Sequence, residues 1–317
     1  MNGILSVLSK EELTAFTLRA LYAEYGYAQY RMSKFEEYDL YGKNKDFLVS
    51  ESVITFTDTD GKLLALKPDV TLSIIKNYKD SAEGDMKVYY NENVYRLSGG
   101  TRSFKEIMQA GLERLGKVDD RAIAEVLTLA AKSLDVISEN NVLEISHLDV
   151  VKGVLSACEL SESGKKEIVK ALGEKNVQGI LETATAENLS EEKKCLLKKL
   201  ASVYGAPEKV LPELDFFKVN PVATEAVEQL VTILSALKEQ GFGEKICVDF
   251  SVVNDMKYYN GLAFKGFIEG IPVGVLSGGQ YDGMMQKMRK NAKAIGFAVY
   301  LDELSRLPKE NGVGGEH

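Results

Sequence analysis

Polar residues able to do chemistry fall in four separated blocks of this 317-residue chain. Asp69 and Thr71 follow Leu66-Lys67-Pro68. Arg96 follows Val94-Tyr95, with Gln109 and Glu113 beyond it. Tyr258 and Tyr259 stand in Met256-Lys257-Tyr258-Tyr259-Asn260-Gly261. The last block is Ser277-Gly278-Gly279-Gln280-Tyr281-Asp282-Gly283, followed by Gly296 to Leu304. These types do ionic and hydrogen-bonding recognition. Gln109 and Glu113 are four apart on a predicted strand and share one face. His147 and His317 are the only histidines, so no His-based metal site or catalytic dyad is expected. Cys158, Cys195 and Cys247 are far apart without CxxC spacing, and read as reduced, buried thiols.

Taken singly, each block has a plainer reading. Gly278-Gly279 reads as a turn and Tyr258-Tyr259 as strand aromatics. Arg96 reads as half of a structural ion pair, and Gln109 with Glu113 as a solvent-facing strand face. Asp69 after Pro68 complements a helix N-terminus. The charge runs Lys165-Lys166-Glu167 and Glu191-Glu192-Lys193-Lys194 read as solvated helix faces.

The elements that must position these blocks follow from periodicity and turn residues. Glu11 to Tyr25 reads as an amphipathic helix stopped by Gly26. Glu51 to Thr57 and Lys62 to Lys67 read as strands around an Asp60-Gly61 turn, and Pro68 opens a helix over Asp69 to Tyr78. Met86 to Leu97 and Ser103 to Gly116 read as long antiparallel strands joined by the turn Ser98-Gly99-Gly100-Thr101-Arg102. Arg121 to Glu139 carries a continuous apolar face, Ile123, Val126, Leu127, Ala130 and Leu134, and Val142 to His147 is a strand. Between residues 149 and 218 helical periodicity takes over, with helices predicted at Val151 to Cys158, Gly164 to Leu172, Val177 to Thr185 and Glu191 to Val203. Strands resume at Lys245 to Val252, then at Leu262 to Ile268 and Ile271 to Leu276, framed by Asn260-Gly261 and Glu269-Gly270 hairpin turns. The pattern predicts an α+β fold, an antiparallel sheet flanked by helices with a small helical insertion. The expected organisation is a discontinuous domain of residues 1–148 and 219–307, an insertion at 149–218 and a flexible tail at 308–317.

A net charge of −8 makes tRNA or other nucleic acid a poor expected partner, because phosphate binding needs clustered Lys and Arg. Met1 to Lys10 lacks a signal-peptide pattern, and no apolar run approaches the ~20 residues that span a bilayer. A cytoplasmic location is expected.

The four blocks, in this order, resemble the catalytic domain of histidyl-tRNA synthetase, a class II aminoacyl-tRNA synthetase. Phe56-Thr57-Asp58 with Leu66-Lys67-Pro68-Asp69-Val70-Thr71 is similar to that family's F-x-D … L-R-P-E-x-T. Val94-Tyr95-Arg96 through Gln109-Ala110-Gly111-Leu112-Glu113 resembles motif 2, Met256 to Gly261 the histidine-specific L-D-Y-Y-x-G, and the last block motif 3. The resemblance runs from about residue 11 to 307. It implies that Asp69 and Thr71 hold the α-amino group of histidine, that Gln109 and Glu113 line the pocket, and that Arg96 sits near the carboxylate. Tyr258 and Tyr259 would meet the imidazole. An ammonium calls for carboxylates, a carboxylate for an arginine, and a ring with two nitrogens for a phenol and an acid.

The departures concern ATP. Glu303 stands where motif 3 carries an arginine, Asn254 where the family places a catalytic arginine, and Ser98 where a glutamate helps hold the adenosine. Adenylate chemistry depends on positioned cations, each worth about 3–4 kcal/mol. Amino-acid activation is therefore not expected. The sequence after motif 3 is also too short for an anticodon-binding domain.

This combination resembles the regulatory subunit of ATP phosphoribosyltransferase, the synthetase-like paralogue family. That resemblance implies a non-catalytic subunit without cofactor, required by a short-form catalytic subunit in the first step of histidine biosynthesis and for feedback inhibition by L-histidine. It also implies class II-type dimers within a hetero-octamer. The alternatives are a freestanding ligase that adenylates histidine or another acceptor, and a tRNA-binding paralogue.

Overall fold

The computed structural model describes residues 7–48, 52–80, 85–97, 103–253, 256 and 258–307. The Ser98 to Arg102 turn, Asn254 and the 308–317 tail lie outside them.

The strands are β1 (Ala28–Gln29), β2 (Phe35–Glu37), β3 (Thr55–Thr57), β4 (Leu63–Leu66), β5 (Met86–Leu97), β6 (Phe104–Gly116), β7 (Asn141–His147), β8 (Tyr204–Gly205), β9 (Ile246–Asp249), β10 (Asn260–Ile268), β11 (Leu276–Gln280) and β12 (Lys293–Tyr300). The helices are α1 (Lys10–Glu24), α2 (Tyr38–Gly42), α3 (Thr71–Asn77), α4 (Asp120–Ile137), α5 (Leu148–Ala157), α6 (Glu162–Gly173), α7 (Val177–Ala186), α8 (Glu191–Ser202), α9 (Pro207–Leu214), α10 (Pro221–Glu239) and α11 (Asp282–Lys287). A nine-stranded sheet has the order β1-β5-β6-β12-β11-β10-β7-β9-β8, and a three-stranded sheet the order β2-β4-β3. The large sheet is antiparallel except at β1 with β5 and β7 with β9.

One face of the large sheet is covered by α1 and α4. The capping box of Ser9 with Glu12 starts α1, and the Asp119 carboxylate, accepting from Ala122 N at 3.0 Å, starts α4. Each such cap contributes about 1 kcal/mol. The predicted stripe Ile123, Val126, Leu127, Ala130 and Leu134 is fully buried against Ala110, Leu112 and Phe297. Tyr22 on α1 meets Ser133 on α4 at 2.9 Å between hydroxyl oxygens, so the buried phenol is satisfied. A second cluster, built from Leu72, Ile74, Ile75, Val88, Tyr90 and Met284, fills the space under α3 and α11.

The other face is opened by register. Gly111, Ala298, Ser277, Lys265 and Glu144 form one row across five strands. Glu113, Gly296, Gly279, Ala263 and Ser146 form the next row on that face. The small residues leave a trough between the large ones.

Several elements depart from the sequence-based expectation. Gly278-Gly279 lies inside β11, which begins at Leu276, where the predicted strand ended. A Cβ at Gly278 would come within 2.5 Å of the Gly296 carbonyl oxygen and of Phe264, so glycine serves close strand approach here, not a turn. Asn260-Gly261 is likewise a bulge opening β10, with φ +61° at Gly261, and not a hairpin turn. Of the strand expected over Glu51 to Thr57, Glu51 lies outside the described residues and the described part is confined to Thr55–Thr57, while the helix after Pro68 is confined to Thr71–Asn77. α9 and α10 were not anticipated. Cys158 and Cys247 are buried, but Cys195 is exposed on α8.

The helices of 149–218 do not form a separate core: Ile168, Leu172, Ile180, Leu197 and Leu200 belong to the cluster under α4. Among the described residues no helix is long and apolar enough to cross a membrane.

The two sheets are tied through Lys67. Its backbone N–H donates to Lys34 and its carbonyl accepts from Tyr95 N, while its ammonium pairs with Glu92 and is 1% exposed. Glu92→Gln leaves that ammonium buried without its counter-charge, and we expect a loss of about 3 kcal/mol, measurable by urea denaturation.

Candidate functional site

The seam between the two hydrophobic clusters holds a cavity of about 170 Å³. All seven residues singled out from the sequence line it: Asp69, Thr71, Arg96, Gln109, Glu113, Tyr258 and Tyr259. The volume suits an amino acid and is small beside the roughly 300–1,000 Å³ of drug-sized sites.

Glu113 is at its centre. β6 presents it on the trough face, where it is 2% exposed. Thr71 Oγ1, at the start of α3, donates to Oε1 at 2.7 Å, and the Tyr281 hydroxyl donates to Oε2 at 2.6 Å. The carboxylate lies over Gly296, its cross-strand partner, where a Cβ would stand 1.7 Å from Oε2. Burial pushes the Glu113 carboxyl up to about 8, against the lowering effect of its two hydroxyl partners.

Asp69 meets the helix N-terminus expected of it and also stands beside Arg96. Oδ1 accepts from Leu72 N at 2.9 Å at the head of α3, while Oδ2 lies 3.7 Å from the Arg96 guanidinium. Burial raises the Asp69 carboxyl, with Arg96 and the Leu72 amide opposing. Arg96 Nε is fixed on the Pro68 carbonyl at 2.7 Å. At 3.7 Å the acid and the guanidinium form an open clamp, which an ammonium and a carboxylate of one zwitterion can each enter.

Gln109 lines the cavity and is 2% exposed, and its buried Nε2 has no hydrogen-bond partner. A buried donor left unpaired costs about 1–3 kcal/mol. Tyr258 and Tyr259 pack edge to face at 4.7 Å between ring centroids just before β10. Burial raises the Tyr258, Tyr281 and Tyr90 phenols well above their usual range, so they act as neutral donors.

Sequence reasoning missed Tyr90, Tyr281, Lys265, Ser277 and Tyr300 as lining residues. Tyr281 and Ser277 stood inside the Ser277 to Gly283 block. Tyr90, Lys265 and Tyr300 carry no local signal and reach the site through strand register alone. Among the described residues, the cations lining the cavity are Arg96 and Lys265. Glu303 is not part of its wall. It sits in the short 3-10 turn Leu301–Arg306, with Oε2 at 2.7 Å from Arg306 Nε.

This sheet, with motif 2 on β5 and β6 and motif 3 on β12, defines the class II aminoacyl-tRNA synthetase fold. The model of the histidyl-tRNA synthetase family matches residues 7–304, and the chain belongs to that family. It is 29% identical over 305 residues to the ATP phosphoribosyltransferase regulatory subunit of Clostridium kluyveri, spanning 93% of this chain and 77% of the relative. Its structure is similar to that of an ATP phosphoribosyltransferase regulatory subunit/histidyl-tRNA synthetase from Bacillus halodurans, with a TM-score of 0.83 and 26% identity over 95% of this chain and 81% of that one. The fold also matches a chain of the ATP phosphoribosyl transferase complex from Thermotoga maritima, with a TM-score of 0.72 and 19% identity over 93% of this chain and 98% of that one.

Two outcomes follow from Glu113. Its folded-state pKa lies above the unfolded value of 4.5, so the folded form binds the extra proton between them and stability falls as pH rises from about 4.5 through about 8. Urea denaturation across that range should show this decline, and Glu113→Gln should flatten it. Gly296→Ala drives a methyl into the carboxylate and breaks both of its hydrogen bonds. We expect a loss of about 2–4 kcal/mol, seen in the same measurement.

Proposed function

We propose that this chain is the non-catalytic regulatory subunit of an ATP phosphoribosyltransferase and binds L-histidine in the cavity around Glu113. It acts with a short-form catalytic subunit in the first step of histidine biosynthesis, in the cytoplasm. The observation that carries the reading is the charge of the site. Carboxylates, an arginine and phenols surround an amino-acid-sized space, while Glu303 occupies the motif 3 position and pairs with Arg306 outside it. The names of the relatives support the same assignment, and the Thermotoga maritima complex supplies a precedent for this fold within such an assembly.

In this reading the ligand's α-ammonium lies on Asp69 and Thr71, its carboxylate on Arg96, and its imidazole between Glu113 and the Tyr258–Tyr259 pair, with Gln109 closing the wall. A cationic group beside Glu113 favours the ionised acid, so the imidazole can take the Glu113 proton and form an imidazolium–carboxylate pair, with no net release of protons to solvent. Feedback requires only that histidine prefer one state of the assembly by about 1–3 kcal/mol, and the coupling is reciprocal with the partner's ligands. Self-association as a class II-type dimer within a hetero-octamer is part of the proposal. The edge-to-face pair Phe35–Phe56, exposed on the small sheet, offers an apolar surface for such a contact.

The test is formation of phosphoribosyl-ATP from ATP and phosphoribosyl pyrophosphate by a short catalytic subunit. Adding this chain should raise the rate, and histidine should lower it again. Asp69→Asn or Glu113→Gln should weaken inhibition by histidine at least tenfold while leaving activation in place. An absence of stimulation overturns the reading, and histidine-dependent ATP–pyrophosphate exchange by the chain alone would favour a ligase instead.

A further inference from the structure

The trough does not end at the first cavity. A second cavity of about 280 Å³ continues it over β11, β10 and β7, under the loop between α6 and α7. Tyr259, Lys265 and Ser277 line both spaces. The floor is the small-residue part of the two cross-strand rows, and the apolar walls are Leu148, Val252 and Phe267.

Two opposite charges face this space with no direct hydrogen bond or ion pair between them, although Lys265 and Lys175 both attract Glu144 at longer range. Glu144 on β7 is 9% exposed, and among the described residues its carboxylate has no hydrogen bond or ion pair. Lys265 is its direct cross-strand partner on β10, and its ammonium likewise lacks one among the described residues. The lysine stem runs along Gly274, where a Cβ would meet Cγ at 3.3 Å and Cε at 3.4 Å. Burial and the Asp249 charge raise the Glu144 carboxyl against the attraction of Lys175 and Lys265, so a further donor beside it would favour the ionised form. Above it Lys175, in a left-handed backbone conformation with φ +53°, extends from the insertion to Asp249 at 2.6 Å and roofs the cavity.

We propose that this second cavity is a separate binding site for a zwitterionic amino acid with an apolar or aromatic side chain. Its ammonium lies on Glu144, its carboxylate on Lys265 with the Ser251 and Ser277 hydroxyls, and its side chain among Leu148, Val252 and Phe267. The carboxylate–ammonium pair on adjacent strands matches the two ends of a zwitterion, and the volume accommodates one. The three shared wall residues make occupancy of either site felt by the other, and the Lys175 loop links the second site to the helical insertion.

Calorimetric titration of the full chain with L-histidine, L-leucine and L-phenylalanine in turn tests this. At least one should give a binding event that survives Asp69→Asn, which disables the first cavity, and weakens at least about tenfold in Glu144→Gln, the loss expected for a hydrogen bond to a charged group. Burial and Asp249 outweigh the attraction of Lys175 and Lys265 on Glu144, so the melting temperature of Glu144→Gln should equal or exceed that of the parent. A purely structural carboxylate would instead lower it. The proposal is overturned if no event survives Asp69→Asn, or if the surviving event is indifferent to Glu144→Gln. The first cavity is read separately: a missing Asp69-sensitive histidine event counts against the proposed function and leaves the second site to be judged on its own variants.

Discussion

Everything about the site depends on one buried carboxyl group. Glu113 belongs to β6, Thr71 to α3, Tyr281 to the corner between β11 and α11, and Gly296 to β12. The two hydroxyls can reach the acid only because Gly296 has no side chain to push it off the sheet. Four elements from distant parts of the sequence are thereby held to one atom group within hydrogen-bonding distance. An acid in such a place is poised between neutral and ionised forms, and the charge of whatever enters beside it selects one.

The rest of the site follows from register. A strand pairing fixes which residues stand opposite one another, and a slip of one residue would send Gly111, Ala298 and Ser277 to the helix-covered face and fill the trough with their bulky neighbours. Phe297 and Leu112, which pack under α1 and α4, would then occupy it. The same geometry explains why the cavity is poor in cations: β12 leads directly into the 3-10 turn carrying Glu303, which finds its counter-charge in Arg306 on that turn.

Much of this was legible in the sequence, for identifiable reasons. The four-residue spacing of Gln109 and Glu113 is independent of tertiary detail, and the order of the four blocks identified the sheet that carries them. The apolar stripe of α4 was equally plain, since its period is local. Other features were hidden by competing local signals. Gly278-Gly279 has turn composition, and only the crowding by Phe264 and the Gly296 carbonyl reveals why glycine is needed in a strand. Asn260-Gly261 has hairpin composition but makes a bulge. Asn220-Pro221, an N-cap followed by proline at the first helical position, announced α10 and was passed over. Tyr90, Lys265 and Tyr300 could not be found from local pattern at all, because strand pairings over long sequence separations bring them in.

The position of β12 has a consequence for how the molecule is made. Among the described residues it is the last of twelve strands in chain order, yet it lies in the interior of the large sheet, between β6 and β11. Until it emerges from the ribosome, those two neighbours present unpaired edges and the sheet is two separate pieces. Closing the gap joins residues near 110 to residues near 298, a long-range pairing of the kind that slows folding and exposes nascent chains to aggregation. The cavity around Glu113 therefore comes into existence only once β12 has been made, because Gly296, Phe297, Ala298 and Tyr300 of that strand form one of its walls.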